Sequence, residues 1–253
     1  MEPASWSKDQ RFKRLGEDTD GVVAVGGYGQ VYKGYDALTQ KMVCIKRQDI
    51  KGPSVCRESA CYNMLESFPR PNLLKMMGMW IGTCEEKSYL YIAMEACCTT
   101  LWKYIGVGNP TKDYHFNPIG GPQKICLAVV RAVGHLHWLG VVHGDVSLSN
   151  ILIDLSGEPK LADFGTVTEH TYLTPEKLCV AYVRSPETLL GSHQKGIPVD
   201  VWAMGIVTLA LWTGCVPTSP HFCPHPSGCG DAYCLAEIAK LLPEITDDVW
   251  PDQ

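Results

Sequence analysis

The chain has 253 residues, of which 45% are hydrophobic, and it carries a formal net charge of −5. This length and composition predict a globular protein with a substantial core, in one large or two small domains. No apolar run is long enough to span a bilayer, residues 1–13 are polar rather than a secretory signal, and no basic stripe indicates a nucleic-acid partner. We therefore expect an intracellular protein, cytoplasmic or nuclear, whose twelve cysteines are free, buried thiols rather than disulfides.

The first patterned stretch is rich in glycine. Residues 22–32 alternate like a strand, turn at Gly26, Gly27 and Gly29, and then alternate again. Glycine permits close approach, so backbone N–H groups of such a turn can lie over phosphates, although a hairpin tip without a ligand explains this stretch equally well. The alternating strand that follows ends in Lys46, whose amine needs an anionic partner if it faces inward.

A helix is predicted after this strand, because Pro53 suits the first helical position and apolar residues recur beyond it. Glu58, in the first half of this helix, is the candidate ionic partner of Lys46. Residues 73–81 and 88–94 are apolar stretches typical of further strands.

Helical spacing then dominates. Residues 101–105 begin a short helix, and residues 123–139 carry apolar side chains at a helical period. The longer helix leads to His143, which we expect to be a structural residue. His135 and His137 are expected to be helix residues without a chemical role.

Residues 143–165 contain the side chains that carry chemistry. Phosphoryl transfer requires one carboxylate for the incoming hydroxyl and oxygen ligands that hold Mg²⁺ across nucleotide phosphates, and Asp145, Asn150 and Asp163 supply these groups. A hairpin predicted over residues 151–162 would fold Asp163 back toward Asn150.

A later loop is dense in potential metal ligands. The spacing contains no C-x-x-C pair, so free thiols are favoured over a zinc site. The sulfur and imidazole groups concerned are those of Cys215, His221, Cys223, His225, Cys229 and Cys234.

Taken in order, these stretches resemble the motifs of eukaryotic-type Ser/Thr protein kinases, in particular the cyclin-dependent kinases. Residues 143–150 are similar to H-R-D-x-x-x-x-N, and residues 163–165 match D-F-G. Residues 52–58 resemble the P-S-T-A-I-R-E helix with one residue missing, residues 181–191 resemble W-Y-R-A-P-E-I-L-L-G, and residues 199–205 match D-x-W-x-x-G.

The resemblance implies an α+β fold, the bilobal protein-kinase fold. A small β-rich N-lobe is expected over residues 1–97 and a larger helical C-lobe, short at its C-terminal end, over residues 98–253. ATP and Mg²⁺ are the implied cofactors and a protein is the implied substrate. A cyclin-like activator at the Pro53–Glu58 helix is a further possibility, and neither nucleic acid nor membrane is expected as a partner.

The resemblance also implies roles for individual residues. Asp145 would act as the base, Lys46 would hold the α and β phosphates with Glu58 behind it, and Asn150 and Asp163 would bind metal. Nucleotide contacts are also expected from the hinge, at Glu95 and Cys97 beyond a gatekeeper Met94, and from the glycine-rich loop, at Val23, Ala24, Val25, Gly26, Gly27, Tyr28, Gly29, Gln30 and Val31. Asp200 would cap the backbone of the catalytic loop.

The chain departs from the family pattern at four positions that bear on activity. Ala24 replaces the first glycine of the loop, Gly144 replaces the arginine of H-R-D, Ser147 replaces a lysine, and Val180 replaces the threonine of the activation segment. These departures predict slow or unusual catalysis. Catalysis is nevertheless expected, because the essential quartet is intact: Lys46, Asp145, Asn150 and Asp163.

Two functions remain open. The first is a Ser/Thr kinase, with a preference for sites before proline suggested by Arg184. The second is a catalytically impaired pseudokinase that acts as a nucleotide-binding or partner-binding scaffold. Of the three arginines that clamp a phosphothreonine in the cyclin-dependent branch, only Arg57 is present, so we expect activity not to depend on phosphorylation of Thr171 or Thr174.

Overall fold

The computed structural model describes residues 7, 10–15, 21–26, 29–84, 86–106, 120–169, 181–192, 196–216 and 231–241. Contacts divide the chain into two compact units, one of residues 1–100 and 152–167 and the other of residues 101–151 and 168–253.

The first unit is built on a six-stranded antiparallel sheet, in which β2 pairs with β3 and the other strands follow the order β1-β3-β4-β6-β5. The strands are β1 (Phe12–Arg14), β2 (Val22–Gly26), β3 (Gly29–Asp36), β4 (Lys41–Asp49), β5 (Met76–Cys84) and β6 (Lys87–Glu95). The predicted strands are present, but β4 continues past Lys46 and β5 starts later than the apolar run at Leu73. This extension of β4 places Gln48 on the same face as Lys46, because side chains alternate along a strand.

One face of this sheet is filled by a stack of aromatic rings. The ring of Trp80 lies between those of Phe12 and Tyr91, with centroid separations of 5.6 and 5.3 Å and interplanar angles of 5° and 8°. Val43 and Ile45 of β4 are buried beside them. Large aromatic side chains remove much apolar surface from water when they are buried. The stack therefore stabilises the sheet, including β4, the strand that carries Lys46.

The remaining elements of the first unit are one long helix and a small sheet. Helix α1 covers Pro53–Ser67 and begins at the predicted proline. Strand β7 (Cys97–Thr100) pairs with β9 (Ile151–Asp154), which in turn pairs with β10 (Pro159–Leu161), so the predicted hairpin is confirmed. It leads to Asp163 and a 3-10 turn over Phe164–Thr166.

The second unit consists mainly of helices. Two short strands, β8 (Val141–Val142) and β11 (Thr168–Glu169), pair within it. The helices are α2 (Leu101–Ile105), α3 (Gly121–Trp138), α4 (Pro186–Leu189), α5 (Ile197–Thr213) and α6 (Asp231–Leu241). Helices α3 and α5 contribute half of the buried apolar side chains described in this unit. Helix α4 packs on α6 through Leu189, Cys234 and Ile238. With a sheet-rich first unit and a helical second unit, the predicted α+β class is confirmed.

The cysteine and membrane predictions have mixed outcomes. None of the nine cysteines in the described part of the chain forms a disulfide, as expected. The predicted burial is confirmed for Cys61 and Cys234, is only partial for five of the others, and was wrong for Cys56 and Cys98, which are exposed. Across the described ranges, no helix combines the length and the apolar character that crossing a membrane requires.

Candidate functional site

The first group of site residues lies in the first unit and is here called the Lys46 cluster. It consists of the predicted residues Lys46, Glu58 and Asp163, together with Gln48, which the sequence analysis did not identify. The ammonium nitrogen of Lys46 lies 2.9 and 2.8 Å from the two carboxylate oxygens of Glu58, and 2.8 Å from Oδ1 of Asp163. Lys46 is 7% exposed and Glu58 is fully buried. The predicted ion pair between Lys46 and Glu58 is therefore present, and Asp163 adds a second carboxylate.

The charges of the cluster are strongly coupled. Burial alone would lower the pKa of the Lys46 amine, but the carboxylates of Glu58 and Asp163 outweigh it and the net pKa is raised. Burial raises the pKa of Glu58, against the opposing effects of Lys46 and Gln48. One ammonium thus serves two carboxylates, and the cluster carries a net negative charge when both are ionised.

Asp163 owes its orientation to an uncommon backbone conformation. Its φ is +64°, in the left-handed region that non-glycine residues seldom adopt. The next turn packs tightly on α1, since a Cβ added at Gly165 would lie 3.2 Å from Cβ of Ser54. Strain of this kind persists where the surroundings fix the conformation, and here it turns the carboxylate of Asp163 toward Lys46.

Helix α1 is anchored one turn beyond Glu58 by Tyr62. Its hydroxyl donates to the sulfur of Met94 at 3.2 Å, and its ring packs edge-on against Phe164, with centroids 5.0 Å apart. The predicted gatekeeper Met94 is therefore linked directly to the helix that carries Glu58. The sequence analysis did not identify Tyr62, because an aromatic residue on a buried helix face resembles any other core residue.

The glycine-rich stretch forms the expected antiparallel hairpin, in which Gly26 pairs with Gly29. Side chains of Val23, Ala24 and Val25 are exposed, and that of Val31 is partly buried opposite Lys46. Gln30 accepts from Arg47 at 2.6 Å, so its side chain is held against the sheet.

Gly29 cannot carry a side chain without disturbing this hairpin, since a Cβ there would lie 2.2 Å from the carbonyl oxygen of Arg47. The predicted positions Gly27 and Tyr28 lie outside the described residues.

The predicted hinge residues make local contacts within the first unit. Oε1 of Glu95 accepts from the backbone of Lys75 at 2.8 Å and lies 3.3 Å from the amine of Lys160. The backbone of Cys97 hydrogen-bonds the thiol of Cys44, and burial raises the pKa of Cys97 to about 12. The Glu95 carboxylate is thus held by its neighbours, and the Cys97 thiol is protonated at neutral pH.

The second group of predicted site residues lies in the second unit. The side-chain amide of Asn150 donates to the carbonyl oxygen of Asp145 at 2.9 Å and to its carboxylate at 2.8 Å. Asp145 is 6% exposed, and its backbone N–H donates to the ring of His143 at 3.2 Å. With its amide nitrogen used in this way, Asn150 has Oδ1 as the atom suited to a metal ion.

A buried carboxylate supports this loop from beneath. Asp200, at the start of α5, accepts from the backbone N–H groups of His143 and Gly144, each at 2.8 Å. The ring of His137 also lies 2.8 Å from Asp200. The predicted capping by Asp200 is confirmed, and His137, expected only to be a helix residue, also contacts this carboxylate.

Two departures from the kinase pattern occupy this loop. Gly144 has φ +76°, a conformation that suits glycine, and Ser147 is fully buried.

Tyr182 is buried beside the loop, where its ring lies 5.4 Å from that of Trp102 and burial raises its pKa to about 12. The segment carrying Tyr182 ends in Arg184, which pairs with Asp231 of α6 at 2.8 Å.

Several predictions are not tested within either unit. Asp163 belongs to the first unit and Asn150 to the second, so their approach to one metal ion stays a prediction. Val180, Thr171, Thr174 and the ligand-rich loop from His221 to Cys229 lie outside the described residues. Among the residues that are described, no group of three or more His, Cys, Asp or Glu side chains is arranged to hold a metal ion.

Oxygen ligands suited to Mg²⁺ are nevertheless present on this chain. Asp163 is 30% exposed at its side chain and offers a hard carboxylate, while Asn150 offers an amide oxygen. The chemical type of these two ligands, a carboxylate and an amide oxygen, therefore suits Mg²⁺.

Comparison with known proteins agrees with these observations. The protein kinase domain family matches residues 19–224. The chain is 30% identical to "Probable cyclin-dependent kinase 10" of Dictyostelium discoideum over 241 residues, which are 90% of this chain and 60% of that protein. It is 26% identical to "Cyclin-dependent kinase 11.2" of Caenorhabditis elegans over 91% of this chain and 35% of that protein. It is 28% identical to "Cyclin-dependent kinase 4" of Ovis aries, with coverages of 90% and 75%.

The chain thus spans less than two thirds of the first two of these relatives. The family match covers most of its length, including Lys46, Glu58, Asp145, Asn150 and Asp163. The chain belongs to the protein kinase domain family and is similar to its cyclin-dependent members.

Proposed function

We propose that this chain transfers the γ-phosphate of ATP, bound with Mg²⁺, to serine or threonine of a protein substrate. The observation that supports this most is the Lys46 cluster. Its ammonium comes from β4, and its two carboxylates come from α1, twelve residues later, and from a turn 117 residues later. Each carboxylate nevertheless lies within 2.9 Å of the Lys46 amine. A cation so placed, with one partner fully buried, is suited to hold phosphate oxygens in a fixed position.

Each member of the cluster has a distinct task in this proposal. Lys46 would bind the α and β phosphates as a point charge, and Glu58 would keep its amine aimed at them. Asp163 and Asn150 would hold Mg²⁺, which when bound neutralises charge on the phosphate oxygens.

The acceptor hydroxyl would be handled by Asp145. The Asn150 amide donates to one carboxylate oxygen of Asp145 at 2.8 Å, and this bond restrains that oxygen. The other oxygen is then oriented to accept the proton of the incoming serine or threonine. The backbone bonds to Asp200 would keep this loop from shifting during the reaction.

A scaffold without turnover is the second candidate, because the loop lacks two cations. Gly144 and Ser147 stand where the family resemblance expects arginine and lysine. An electrostatic donor near the transferred phosphoryl is worth about 3 kcal/mol, or roughly a hundredfold in rate. Turnover is therefore expected to be slow, and the intact quartet favours the kinase over the scaffold.

Radiolabel transfer from γ-labelled ATP to a generic protein substrate separates the two candidates. The kinase predicts signal from the wild type that Asp145→Asn removes, because asparagine keeps the shape and loses the base. Signal in neither protein, with binding of MgADP retained, would support the scaffold. Equal signal in both would overturn the assignment of Asp145.

Finer features of the proposal rest on the resemblance. A preference for sites before proline follows from the segment around Arg184, and a cyclin-like activator would bind near Pro53–Glu58, where Cys56 and Ala60 are exposed. The preference for proline is tested by comparing the transfer rates to two peptides that differ only in the proline after the acceptor. The activator site is tested by measuring the binding of a purified cyclin to the wild type. We also propose that the boundary between the two lobes lies between residues 97 and 98. An intracellular location is proposed on the same resemblance.

A further inference from the structure

The Lys46 cluster contains a residue that the family motifs do not include. Gln48 lies two positions beyond Lys46 on β4, so the two side chains leave the same face of the strand about 7 Å apart. Both reach Glu58: the amine of Lys46 contacts both carboxylate oxygens, and the amide nitrogen of Gln48 donates a short hydrogen bond to Oε2. Gln48 is 1% exposed, which places this bond away from solvent.

Glu58 needs a donor that other groups do not share. A carboxylate removed from water is unfavourable unless hydrogen bonds replace its hydration. Lys46 provides two, but its ammonium also contacts Asp163 at 2.8 Å. The amide of Gln48 carries no net charge and is drawn to a phosphate far less than the Lys46 ammonium is, so its bond to Glu58 competes little with nucleotide.

Packing alone does not explain why an amide side chain is buried at this position, because its burial costs free energy. Within the described part of the chain, the carbonyl oxygen of Gln48 is buried without a hydrogen-bond partner. Leaving such an acceptor unsatisfied costs free energy, which methionine or leucine at this position would avoid. The bond from Nε2 to Glu58 is the contact that offsets this cost.

From these contacts we infer that Gln48 is a positioning residue: it holds the Glu58 carboxylate against β4, so that Lys46 can engage phosphate without releasing Glu58. This inference rests on the proposed role of Lys46 in binding phosphates. Gln48 acts through Glu58 and touches neither nucleotide nor metal in this scheme.

Direct titration of Glu58 tests the inference without relying on catalysis. Carbon-13 NMR of the side-chain carboxyl groups, with Glu58 assigned by its absence in Glu58→Gln, follows protonation of the free protein. In Gln48→Met the titration midpoint of Glu58 should rise, because a donor to the charged form has been lost while the side-chain volume is kept. Tyr62→Phe, which removes a buried polar bond elsewhere on α1, should leave the midpoint unchanged. An unchanged midpoint in Gln48→Met would overturn the inference.

Nucleotide affinity supplies the second readout. Gln48→Met should weaken MgADP binding several-fold and by no more than about tenfold, because Glu58 without this donor would draw the Lys46 amine away from the phosphates; the upper bound is the value of one hydrogen bond to a charged group. In a Glu58→Gln background the same substitution should change affinity less than about twofold, because the carboxylate on which it acts is gone. Equal losses in both backgrounds would show that Gln48 does not act through Glu58.

The two readouts separate failure of the inference from failure of the proposed function. A wild-type chain that binds no MgADP would defeat the proposed function, whereas the carboxyl titration would still decide whether Gln48 holds Glu58. Should Gln48→Met not fold, the wild type alone suffices: the side-chain amide protons of Gln48 should exchange slowly and shift as Glu58 titrates. Exchange as fast as that of a surface glutamine would contradict the inference.

Discussion

The buried carboxylate of Asp200 accepts a hydrogen bond from the backbone N–H of Gly144 at 2.8 Å, across 56 residues of sequence. The same carboxylate accepts a second hydrogen bond from the backbone N–H of His143 and contacts the ring of His137. This one side chain therefore fixes the backbone that precedes Asp145. The loop geometry depends on α5 as much as on its own sequence.

Asp200→Ala should lower the free energy of unfolding by about 3 kcal/mol, because two buried N–H groups lose their acceptor. Urea unfolding followed by tryptophan fluorescence measures this loss. Asp200→Asn keeps one acceptor oxygen and should lose less. A change below about 1 kcal/mol in the alanine variant would show that water or another group replaces the carboxylate.

Asp163→Asn should keep the fold and weaken binding of magnesium nucleotide at least tenfold, as asparagine tolerates the left-handed conformation but lacks the charge. Titration of MgADP by calorimetry, with thermal unfolding of the free protein as the control, checks both parts. Asp163→Ala should also be less stable by about 1 kcal/mol, since alanine is poorly suited to a φ of +64°. Wild-type affinity in Asp163→Asn would remove this residue from the proposed metal site.

Stability at low pH should depend on Asp36. The guanidinium of Arg11 binds its carboxylate at two points, at 3.0 and 2.9 Å, and lowers its pKa from 3.8 to about 2. A carboxyl group with a lowered pKa stabilises the folded state above its unfolded pKa, and the contribution disappears as pH falls through the folded value.

Wild type should therefore lose this contribution between pH 3.8 and about 2, whereas Asp36→Asn should show a flatter dependence in that window. Acid titration followed by circular dichroism measures the difference. Parallel curves for the two proteins would contradict the predicted linkage.

Activity should not require phosphorylation of the segment after D-F-G. Gly144 and Thr168 occupy two of the three positions where the cyclin-dependent branch carries phosphate-binding arginines. The double variant Thr171→Ala, Thr174→Ala should therefore retain at least about half of the wild-type transfer rate, because little positive charge is available to bind a phosphate there. Loss of activity in the double variant, restored by a glutamate at either position, would show that a charged clamp exists.

The sequence predicted the parts of the site that belong to short motifs. Lys46 and Glu58 were identified from local residue patterns and Asp200 from the resemblance to protein-kinase motifs; the structure pairs the first two and links the third to the loop as expected. Such contacts are predictable because each motif fixes its own backbone and the order of motifs fixes the topology.

Contacts made between motifs were not predictable in the same way. Gln48 lies beyond the point where the alternating pattern was taken to end, and a glutamine in a strand usually faces solvent. His137 and Tyr62 gain their partners across 63 and 32 residues, distances over which a single sequence contains no periodic signal. Burial of a polar side chain against a distant partner is a property of the tertiary structure.

The central claim of this account is that the Lys46 cluster binds a triphosphate, and thermal unfolding with and without MgATP tests it most directly. At a ligand concentration about one hundred times the dissociation constant, binding stabilises the folded state by about 2.7 kcal/mol, which corresponds to a rise in Tm of about 5 to 10 °C. We predict that rise for the wild type and for Lys33→Met, which alters an exposed lysine of the same sheet, and its loss in Lys46→Met. No rise in the wild type, or an equal rise in Lys46→Met, would contradict the claim.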